Sequence, residues 1–405
     1  MTGPTSSETT QAPQPTEPAV SPPAAASTPE ATGPDPVAPG TTAPFETQVF
    51  RGISAGLATP RLPRWAAGLV TVMAVGVAGL LTLALGWSPV GGLVVAALLF
   101  VAGLPVWSYA VEGRRTAVDR LATALVWVTF AAVLVPLVWL LWLVVDNGIG
   151  RIDGEFLTYS MRGIVGDGGG IYHALIGTLL VTLAAAVISV PIGIFTAIYL
   201  VEYARGGRLA RVTTFLVDVM TGIPSIVAGL FALALFVLVF GPAIRIGFAG
   251  SVALALLMIP TVVRSTEEML RLVPSDLREA SYALGVPKWR TIVKVVLRTA
   301  FGGIVTGVVL AISRVVGETA PLLIVAGATD SVNTNLFSGR MMTLPVYIFS
   351  QYASPGVPAF GSTGPPPGYA RAWAAALVLI AFVMVLNLAA RVLQRLFAPK
   401  PDRRR

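Results

Sequence analysis

The chain has 405 residues, of which 55% are hydrophobic and only 12% are charged, and its mean hydropathy is +0.78. Soluble domains carry about 25% charged residues, so this composition excludes an ordinary soluble protein and indicates one that lies in a bilayer. The chain has no cysteine and a single histidine, His173, which excludes disulfides, thiolate metal sites and multi-histidine metal sites. We therefore expect no metal and no cofactor.

Residues 1–60 are predicted to form a disordered cytoplasmic tail rich in proline, threonine and alanine. No lysine or arginine precedes Arg51, and so polar a segment buries too little apolar surface to offset the entropy of ordering it. The segment lacks the basic start and adjoining apolar run of a signal peptide. A regulatory or protein-binding tail is the alternative function.

Long apolar runs separated by charged connectors follow from Ala66 onward. About 20 residues cross the hydrocarbon core as a helix, and backbone groups inside a bilayer must be paired internally. We therefore predict an all-α polytopic membrane protein with about eight transmembrane helices. The predicted spans are Ala66–Trp87, Val90–Val111, Leu121–Val145, Tyr172–Val201, Val212–Phe240, Phe248–Val263 (a short one), Ala300–Ile324 and Ala372–Val392.

Basic residues are distributed unequally between the two sets of connectors. Most of the 28 lysines and arginines lie on one side, which the positive-inside rule assigns to the cytoplasm together with the N-terminus. The net charge of +8 therefore reflects membrane topology, and no nucleic acid is expected as a partner. The opposite side is predicted to hold only Arg151, Arg162, Arg245, Arg340 and Arg371.

The longest cytoplasmic connector, residues 265–298, contains a predicted amphipathic helix. Ser275 is placed to cap its start, Asp276 and Glu279 suit the positive end of its dipole, and Gly285 ends it. A helix of about ten residues is not stable alone in water, so we expect it to lie in a groove of another subunit or on the end of its own bundle. Its apolar face carries Leu277, Ala280, Ala283 and Leu284.

Arg314 and Glu318 fall within the predicted span Ala300–Ile324. A charge near the middle of a membrane helix costs about 2.5–3.5 kcal/mol and is usually paired and functional. Four residues apart, the two would share a helix face with the small residues Gly303, Gly307 and Ala311, which favour close helix packing. The Arg314 guanidinium suits phosphate oxygens, and Glu318 would orient it and weaken binding enough for release. A structural ion pair is the alternative.

Three weaker features precede this pair in the chain. Gly222 and Pro224 are predicted to break the fifth span, so that Ser225 would offer its hydroxyl or free backbone groups to an ion; a packing kink is the alternative. The glycines at 168–170 indicate a flexible loop. His173 is predicted to be an interfacial residue, and Asp218 is expected to lie near cytosolic water.

Four motifs occur in an order typical of one family. Residues 222–231 read GIPSIVAGLF, residues 260–292 read PTVVRSTEEMLRLVPSDLREASYALGVPKWRTI, residues 313–323 read SRVVGETAPLL, and residues 343–349 read TLPVYIF. They resemble the phosphate permease family of ABC importers, and the last two resemble its PstA branch. The resemblance covers roughly residues 128–395. Glu279, Ala280, Leu284 and Gly285 resemble the EAA loop, which forms the coupling helix on the ATP-binding subunit in that family.

This resemblance implies the permease subunit of an ATP-driven importer of inorganic phosphate in a bacterial plasma membrane. No GxxxxGK[ST] motif occurs in the chain, so the chain is not expected to be an enzyme. The implied partners are a second phosphate permease in a heterodimer, a dimer of ATP-binding subunits, and an extracytoplasmic phosphate-binding protein. Arg314, Glu318 and Ser225 are assigned to the substrate path. The implied divisions are an added transmembrane hairpin (61–115), a permease domain (116–398) and a basic cytoplasmic C-terminus (399–405).

Three other functions stay open at this point. The first is an importer of another oxyanion, sulfate or molybdate. The second is an intramembrane enzyme that uses Glu318 or Asp218, although no second carboxylate or histidine shares their spans. The third is a passive channel, which would need no docking loop. The sequence departs from the family pattern in having Arg298 and Thr299 where a proline often follows the EAA loop, and in having eight spans in place of six.

Overall fold

A computed structural model describes residues 61–204, 206–358 and 364–397. The tail predicted over residues 1–60 and the basic C-terminus predicted over 399–405 lie outside these described residues. The described chain is built from helices, which confirms the predicted all-α class. Its contacts divide it into two compact units, residues 1–125 and 126–405, and each is described by itself.

The first unit contains a hairpin of α1 (Ala66–Leu85) and α2 (Pro89–Glu112), followed by the start of α3 (Arg114–Gly148). The turn is tight because α1 ends at Gly86, whose φ of 66° lies in the left-handed region. Ser88 then caps α2, its hydroxyl accepting a hydrogen bond from the Gly91 N–H at 3.3 Å. The two helices pack closely where Gly92 faces Thr82.

Glu112 holds the end of this hairpin together. Its carboxylate accepts hydrogen bonds of 2.7 Å from the Leu62 N–H and from the Ser108 hydroxyl, and it lies 3.5 Å from Arg120 on α3. A carboxylate with several donors is held in its charged form. The residue therefore joins the beginning of the described chain, α2 and α3 at one point.

The second unit contains the rest of α3 and eleven further helices. Two π-helical turns occur, Tyr199–Tyr203 at the end of α5 and Ile292–Val296 between α10 and α11. The helices are α4 (Gly154–Thr158), α5 (Tyr172–Ile198), α6 (Arg208–Thr221), α7 (Ser225–Phe240), α8 (Gly247–Arg271), α9 (Ser275–Ala283), α10 (Lys288–Thr291), α11 (Leu297–Val316), α12 (Ala320–Val325), α13 (Leu344–Ala353) and α14 (Pro367–Phe397).

Seven helical segments of the described chain are long and apolar enough to cross a membrane. An eighth is obtained when α6 and α7 are counted as one span, which is broken and bent by 111°. The number of helices therefore agrees with the prediction. The break lies at Gly222–Pro224, as predicted, because proline removes a backbone donor and clashes with the preceding turn.

The core of the second unit is the pair α5 and α8. Val181 of α5 lies beside Gly250 of α8, and Gly193 of α5 lies beside Val262, so the two helices run parallel with a constant register. Both glycines allow close approach, since a Cβ on Gly193 would lie 2.6 Å from Val262 Cγ1. We call the end of the bundle at which α5 and α8 finish the connector end, because α9 and α10 lie there.

Helix α11 packs against α8 in the antiparallel direction. A Cβ added to Gly303 would lie 2.1 Å from Met269 Sδ, and one added to Gly307 would lie 2.5 Å from Ser265 Oγ. The Gly303–Gly307 pattern therefore permits close helix packing, as the sequence predicted. Ser313 of α11 also donates a hydrogen bond of 3.1 Å to Asn387 Oδ1 of α14.

Helix α8 is longer than predicted, because it continues to Arg271 and does not end near Val263. The charges in its last turns are neutralised locally. Arg264 pairs with Glu267 at 2.8 Å and with Asp218 of α6, and Arg271 pairs with Glu267 at 2.6 Å. Paired charges allow a membrane helix to continue where hydropathy alone predicts an end.

Candidate functional site

Arg314 and Glu318 do not lie on one helix face, so that prediction was wrong. Helix α11 ends at Val316, and Glu318 lies in the break before α12. The break has a local cause, since Pro321 would clash with the carbonyl four residues earlier in a continuous helix. The ion pairs of the described residues do not include one between Arg314 and Glu318.

Arg314 lies near the middle of the bundle's length. Gly303 faces Met269 and Gly307 faces Ser265, so continuing this antiparallel register places Arg314 level with Met258. Met258 is close to the centre of α8, which runs from Gly247 to Arg271. The helical segment that carries Arg314 starts as far back as Lys288, well before the predicted start at Ala300, which is why the residue lies near the middle of the bundle.

The two helix breaks lie side by side. A Cβ on Gly229 of α7 would lie 2.7 Å from the Pro321 Cα of α12, and Val325 of α12 packs in one cluster with Ala232 and Phe236 of α7. Helices α7 and α12 therefore run parallel, and their first residues lie within about one helical turn of each other. The structure thus brings Ser225 into the neighbourhood of Glu318 and the last turn of α11.

This neighbourhood has one side that residues 61–204, 206–358 and 364–397 leave exposed. Arg314 is exposed, and Ser225 and Glu318 are half-buried. The exposed face of α11 also carries Leu310, and that of α7 carries Ile226 and Leu230. An exposed guanidinium at mid-membrane level does not face acyl chains, because its transfer into hydrocarbon is costly. The face therefore borders another protein chain or a polar cavity.

Helix α9 carries the residues predicted to couple to an ATPase, and it lies with its apolar face outward. Glu279, Ala280 and Gly285 are exposed, and Leu284 is 83% exposed. Gly285 has a φ of 74°, the left-handed conformation expected at the helix end. Ser275 is the first helical residue and Pro274 precedes it, so the predicted capping role of Ser275 was wrong. Leu277 and Ala283, the other members of the predicted apolar face, are exposed as well.

The inward side of α9 is held by polar contacts that the sequence reading missed. Arg278 donates from Nε to Glu202 Oε1 at 3.1 Å, and from its two terminal nitrogens to the carbonyls of Val273 at 2.6 Å and Leu270 at 2.9 Å. Ser281 and Thr291 share a buried hydrogen bond of 2.8 Å. The available signal was the pair of polar positions three residues apart, 278 and 281, which share a helix face beside the apolar one.

A charged groove lies beside α6 at the connector end. It has a volume of about 460 Å³ and is lined by Arg211, Thr214, Asp218, Glu267 and Arg271. Arg264 binds both Asp218 and Glu267, and so brings Asp218 close to a carboxylate from another helix, α8. Both carboxylates are therefore paired with arginine, which does not suit them to act as an acid and a base.

A buried polar cluster lies at the opposite end of the bundle. His173 is only 1% exposed, and its ring packs edge-on against Tyr347 with centroids 5.5 Å apart, so it is not interfacial as predicted. Arg371 is also buried and binds Gln351 at 3.1 Å and the carbonyl of Gly166. Burial raises the pKa of Tyr347 to about 12, so its hydroxyl stays protonated at physiological pH.

Arg371 and its neighbours also order the glycine-rich loop. The loop was predicted to be flexible, but Arg151 donates to the Gly169 carbonyl at 2.9 Å, and a Cβ on Gly170 would lie 2.3 Å from the Phe156 carbonyl oxygen. The loop is therefore packed against α4 and the residues beside it. Gly168 and Gly169 have φ values of 93° and 70°, which explains the choice of glycine there.

Comparisons with known proteins identify the family. The profile of the family described as "Binding-protein-dependent transport system inner membrane component" matches residues 189–403. The phosphate transport system permease protein PstA 1 of Mycobacterium tuberculosis is 48% identical over 284 residues, covering 69% of this chain and 90% of that protein. PstA of Yersinia pestis is 40% identical over 282 residues, covering 70% of this chain and 92% of that protein.

A solved structure of the MetNI methionine ABC transporter in an inward-facing conformation aligns with a TM-score of 0.44 and 21% sequence identity, covering 61% of this chain and 100% of that chain. The family profile matches more than half of this chain, and the PstA relatives are matched over nearly their whole length. The chain is therefore a membrane-spanning permease subunit that belongs to the binding-protein-dependent inner-membrane transport components, within their PstA group.

Proposed function

We propose that this chain forms part of the path through which a bacterial importer moves inorganic phosphate across the plasma membrane. The observation that carries the proposal is the exposed Arg314 at mid-bundle level beside two adjacent helix breaks. Broken helices supply unpaired backbone groups to ions in transporters, and a guanidinium fork matches phosphate oxygens. The phosphate transport names of the relatives support this choice of anion.

The proposal assigns Arg314, Glu318 and Ser225 to the substrate path, with a changed role for Glu318. Because Glu318 does not pair with Arg314, it cannot orient the guanidinium directly. A carboxylate in the break beside the arginine instead lowers the local positive potential, so that a phosphate dianion is held weakly enough to leave. The uncovered face requires a second chain to close the path, and we assign that place to a second permease in a heterodimer.

The connector end is assigned to the cytoplasm, together with the N-terminus. Its basic residues, Arg211, Arg271, Lys288, Lys294 and Arg298, agree with the positive-inside rule. The outward apolar side of α9, from Glu279 to Gly285, is proposed to dock on a dimer of ATP-binding subunits, where ATP is hydrolysed. A phosphate-binding protein would deliver the anion at the opposite end. In this proposal residues 61–115 are an added hairpin and residues 116–398 are the permease domain.

Uptake of radiolabelled phosphate by the complete importer in proteoliposomes tests the substrate. We expect ATP-dependent phosphate uptake that a hundredfold excess of sulfate or molybdate does not reduce by more than about twofold, since specificity is a difference of affinities. Equal competition by either anion would overturn the assignment of phosphate. Uptake without ATP would indicate the passive channel.

A further inference from the structure

The loop that follows α8 is fastened to the bundle by cations at the ends of two helices. The last carbonyls of a helix have no partner within it, and a cation is stabilised there by the helix dipole. Arg278 of α9 donates to the carbonyls of Leu270 and Val273, where α8 ends. Lys288, the first residue of α10, donates to the backbone carbonyl of Glu202, where α5 ends. Its ammonium group also lies 4.8 Å from the centre of the Tyr203 ring.

An ion pair joins these two attachments into one unit. The carboxylate of Glu202 lies 3.0 Å from the Arg278 guanidinium, and the side chains are only 5% and 18% exposed. A guanidinium that makes several hydrogen bonds is held in a fixed geometry. An exposed ion pair, in contrast, contributes little to the free energy of folding. Arg278 therefore contacts the end of α8 and the end of α5 at the same time. Glu202 is therefore contacted by Arg278 through its carboxylate and by Lys288 through its backbone carbonyl.

The position of Glu202 in the chain is itself unusual. It lies in the π-helical turn Tyr199–Tyr203, and the second π-helical turn, Ile292–Val296, begins directly after α10. Single π turns within helices are frequently found at functional sites. The segment from α9 to α10 therefore contacts the first π turn through Arg278 and Lys288, and it is followed directly in the chain by the second π turn.

We infer that the Glu202–Arg278 ion pair is a positioning joint that passes movement of α9 to α5 and α8 during transport. The inference rests on the proposed docking of α9 on an ATPase. The outward side of α9 is exposed at Ala280, Leu284 and Gly285, whereas Arg278 and Ser281 hold its inward side to the bundle. A partner that displaces α9 must therefore displace Arg278. The parallel core pair α5 and α8 then moves with it, and α11 follows through its close packing on α8.

Measurement of the coupling ratio tests this inference in the complete importer. In Arg278→Gln and Glu202→Gln we expect the subunits to assemble and ATP hydrolysis to stay within about twofold of wild type, while phosphate transported per ATP falls on the order of tenfold. Arg278→Lys is expected to recover part of the ratio, because it keeps the charge but loses the fork that reaches three acceptors. Arg298→Gln is the matched control, since Arg298 is exposed and forms no ion pair among the described residues.

A purely structural ion pair gives a different result. The variants would then lower the amount of assembled importer, and transport per ATP would equal the wild-type value in the complexes that remain. An unchanged ratio in both Arg278→Gln and Glu202→Gln overturns the inference. A wild-type importer that carries no phosphate would instead overturn the proposed function. In that case the next measurement still tests whether the Glu202–Arg278 ion pair links α9 to α5.

Distance measurements between spin labels supply that second test. The chain has no cysteine, so cysteines introduced at Asp276 of α9, outside the proposed docking stretch, and at Phe195 of α5, both exposed, are its only labels. We expect the distance between them to stay constant between the nucleotide-free and the vanadate-trapped importer, and its distribution to broaden when Arg278→Gln is added. A shift of this distance in the wild-type background shows that α9 moves independently of α5 and overturns the inference.

Discussion

Arg314 combines properties that are costly together in a membrane protein. It carries a permanent charge, lies level with the centre of α8, and is exposed on a face that the described residues do not cover. A structural arginine at such depth is expected to have a carboxylate partner, yet Glu318 is not bound to it. The charge is therefore free to meet an anion from the path or a group from a second subunit.

We expect Arg314→Gln to reduce phosphate uptake per assembled importer by about thirtyfold or more, because removing one side of a desolvated charge contact costs about 2–5 kcal/mol. Arg314→Lys should restore it only in part, since the ammonium lacks the planar fork. The measurement is initial uptake divided by the amount of complex in the membrane. Arg162→Gln, at an exposed arginine of the opposite end, is the control. Normal uptake per complex in Arg314→Gln would exclude a role in handling phosphate.

Individual side chains were predictable from sequence where chain neighbours decide their conformation. Gly285 was predicted to end α9, and it has a positive φ because the helix has to turn within one residue. The contacts of Arg278 and Arg371 were not predictable. Their partners, Glu202 and the carbonyl of Gly166, lie far away in the chain, and one sequence carries no information on such distant pairs.

At the scale of elements, the two broken helices depend on a close contact between α7 and α12. Gly229 lies so near Pro321 that a Cβ would be 2.7 Å from its Cα, a backbone atom that cannot rotate away. We expect Gly229→Ala to separate the helices at a cost of about 1–3 kcal/mol and to lower uptake per complex. Gly302→Ala is the control, because the nearest atom there is Gln394 Cγ at 3.6 Å. Equal uptake in both variants would show that the alignment of the breaks is not required.

The outward side of α9 gives a second prediction at this scale. Gly285→Asp places a side chain at a φ of 74°, a region that costs non-glycine residues about 1 kcal/mol, and it adds a negative charge beside the apolar face. We expect the permease to insert normally and to co-purify less of the ATP-binding subunit. Gly206→Asp is a fair comparison, because Gly206 also has a positive φ of 75° with open space around it. Undiminished co-purification in Gly285→Asp would contradict docking at this site.

The presence of each long helix was largely predictable from the sequence, whereas the residues at which the helices end were not. The apolar runs located each long helix because hydrocarbon favours long apolar segments. The end of α8 was misplaced since Arg264 and Glu267 neutralise each other, which hydropathy does not register. The break after α11 was missed because the short polar stretch before Pro321 lies between two apolar runs that together have the length of one span.

At the scale of the whole molecule, the similarity to known permeases covers the later part of the chain, and the N-terminal residues lie outside it. The profile begins at residue 189, and the M. tuberculosis relative covers 69% of the chain. We expect deletion of residues 1–50 to leave phosphate uptake within about twofold of wild type, because a segment of this composition contributes no core. The measurement is uptake at equal membrane abundance. Complete loss of uptake at normal abundance would show that the tail has a function in transport.

The outward apolar side of α9 also bears on how much of this protein a cell retains. A copy without its ATP-binding partner leaves Leu277, Tyr282 and Leu284 in contact with water, and exposed apolar patches favour aggregation and degradation. If α9 docks on the ATP-binding subunit as proposed, we expect surplus copies to be degraded and assembled copies to be protected, because the patch is then covered. The cellular amount of the permease would therefore follow the synthesis of the ATP-binding subunit more closely than the synthesis of the permease itself.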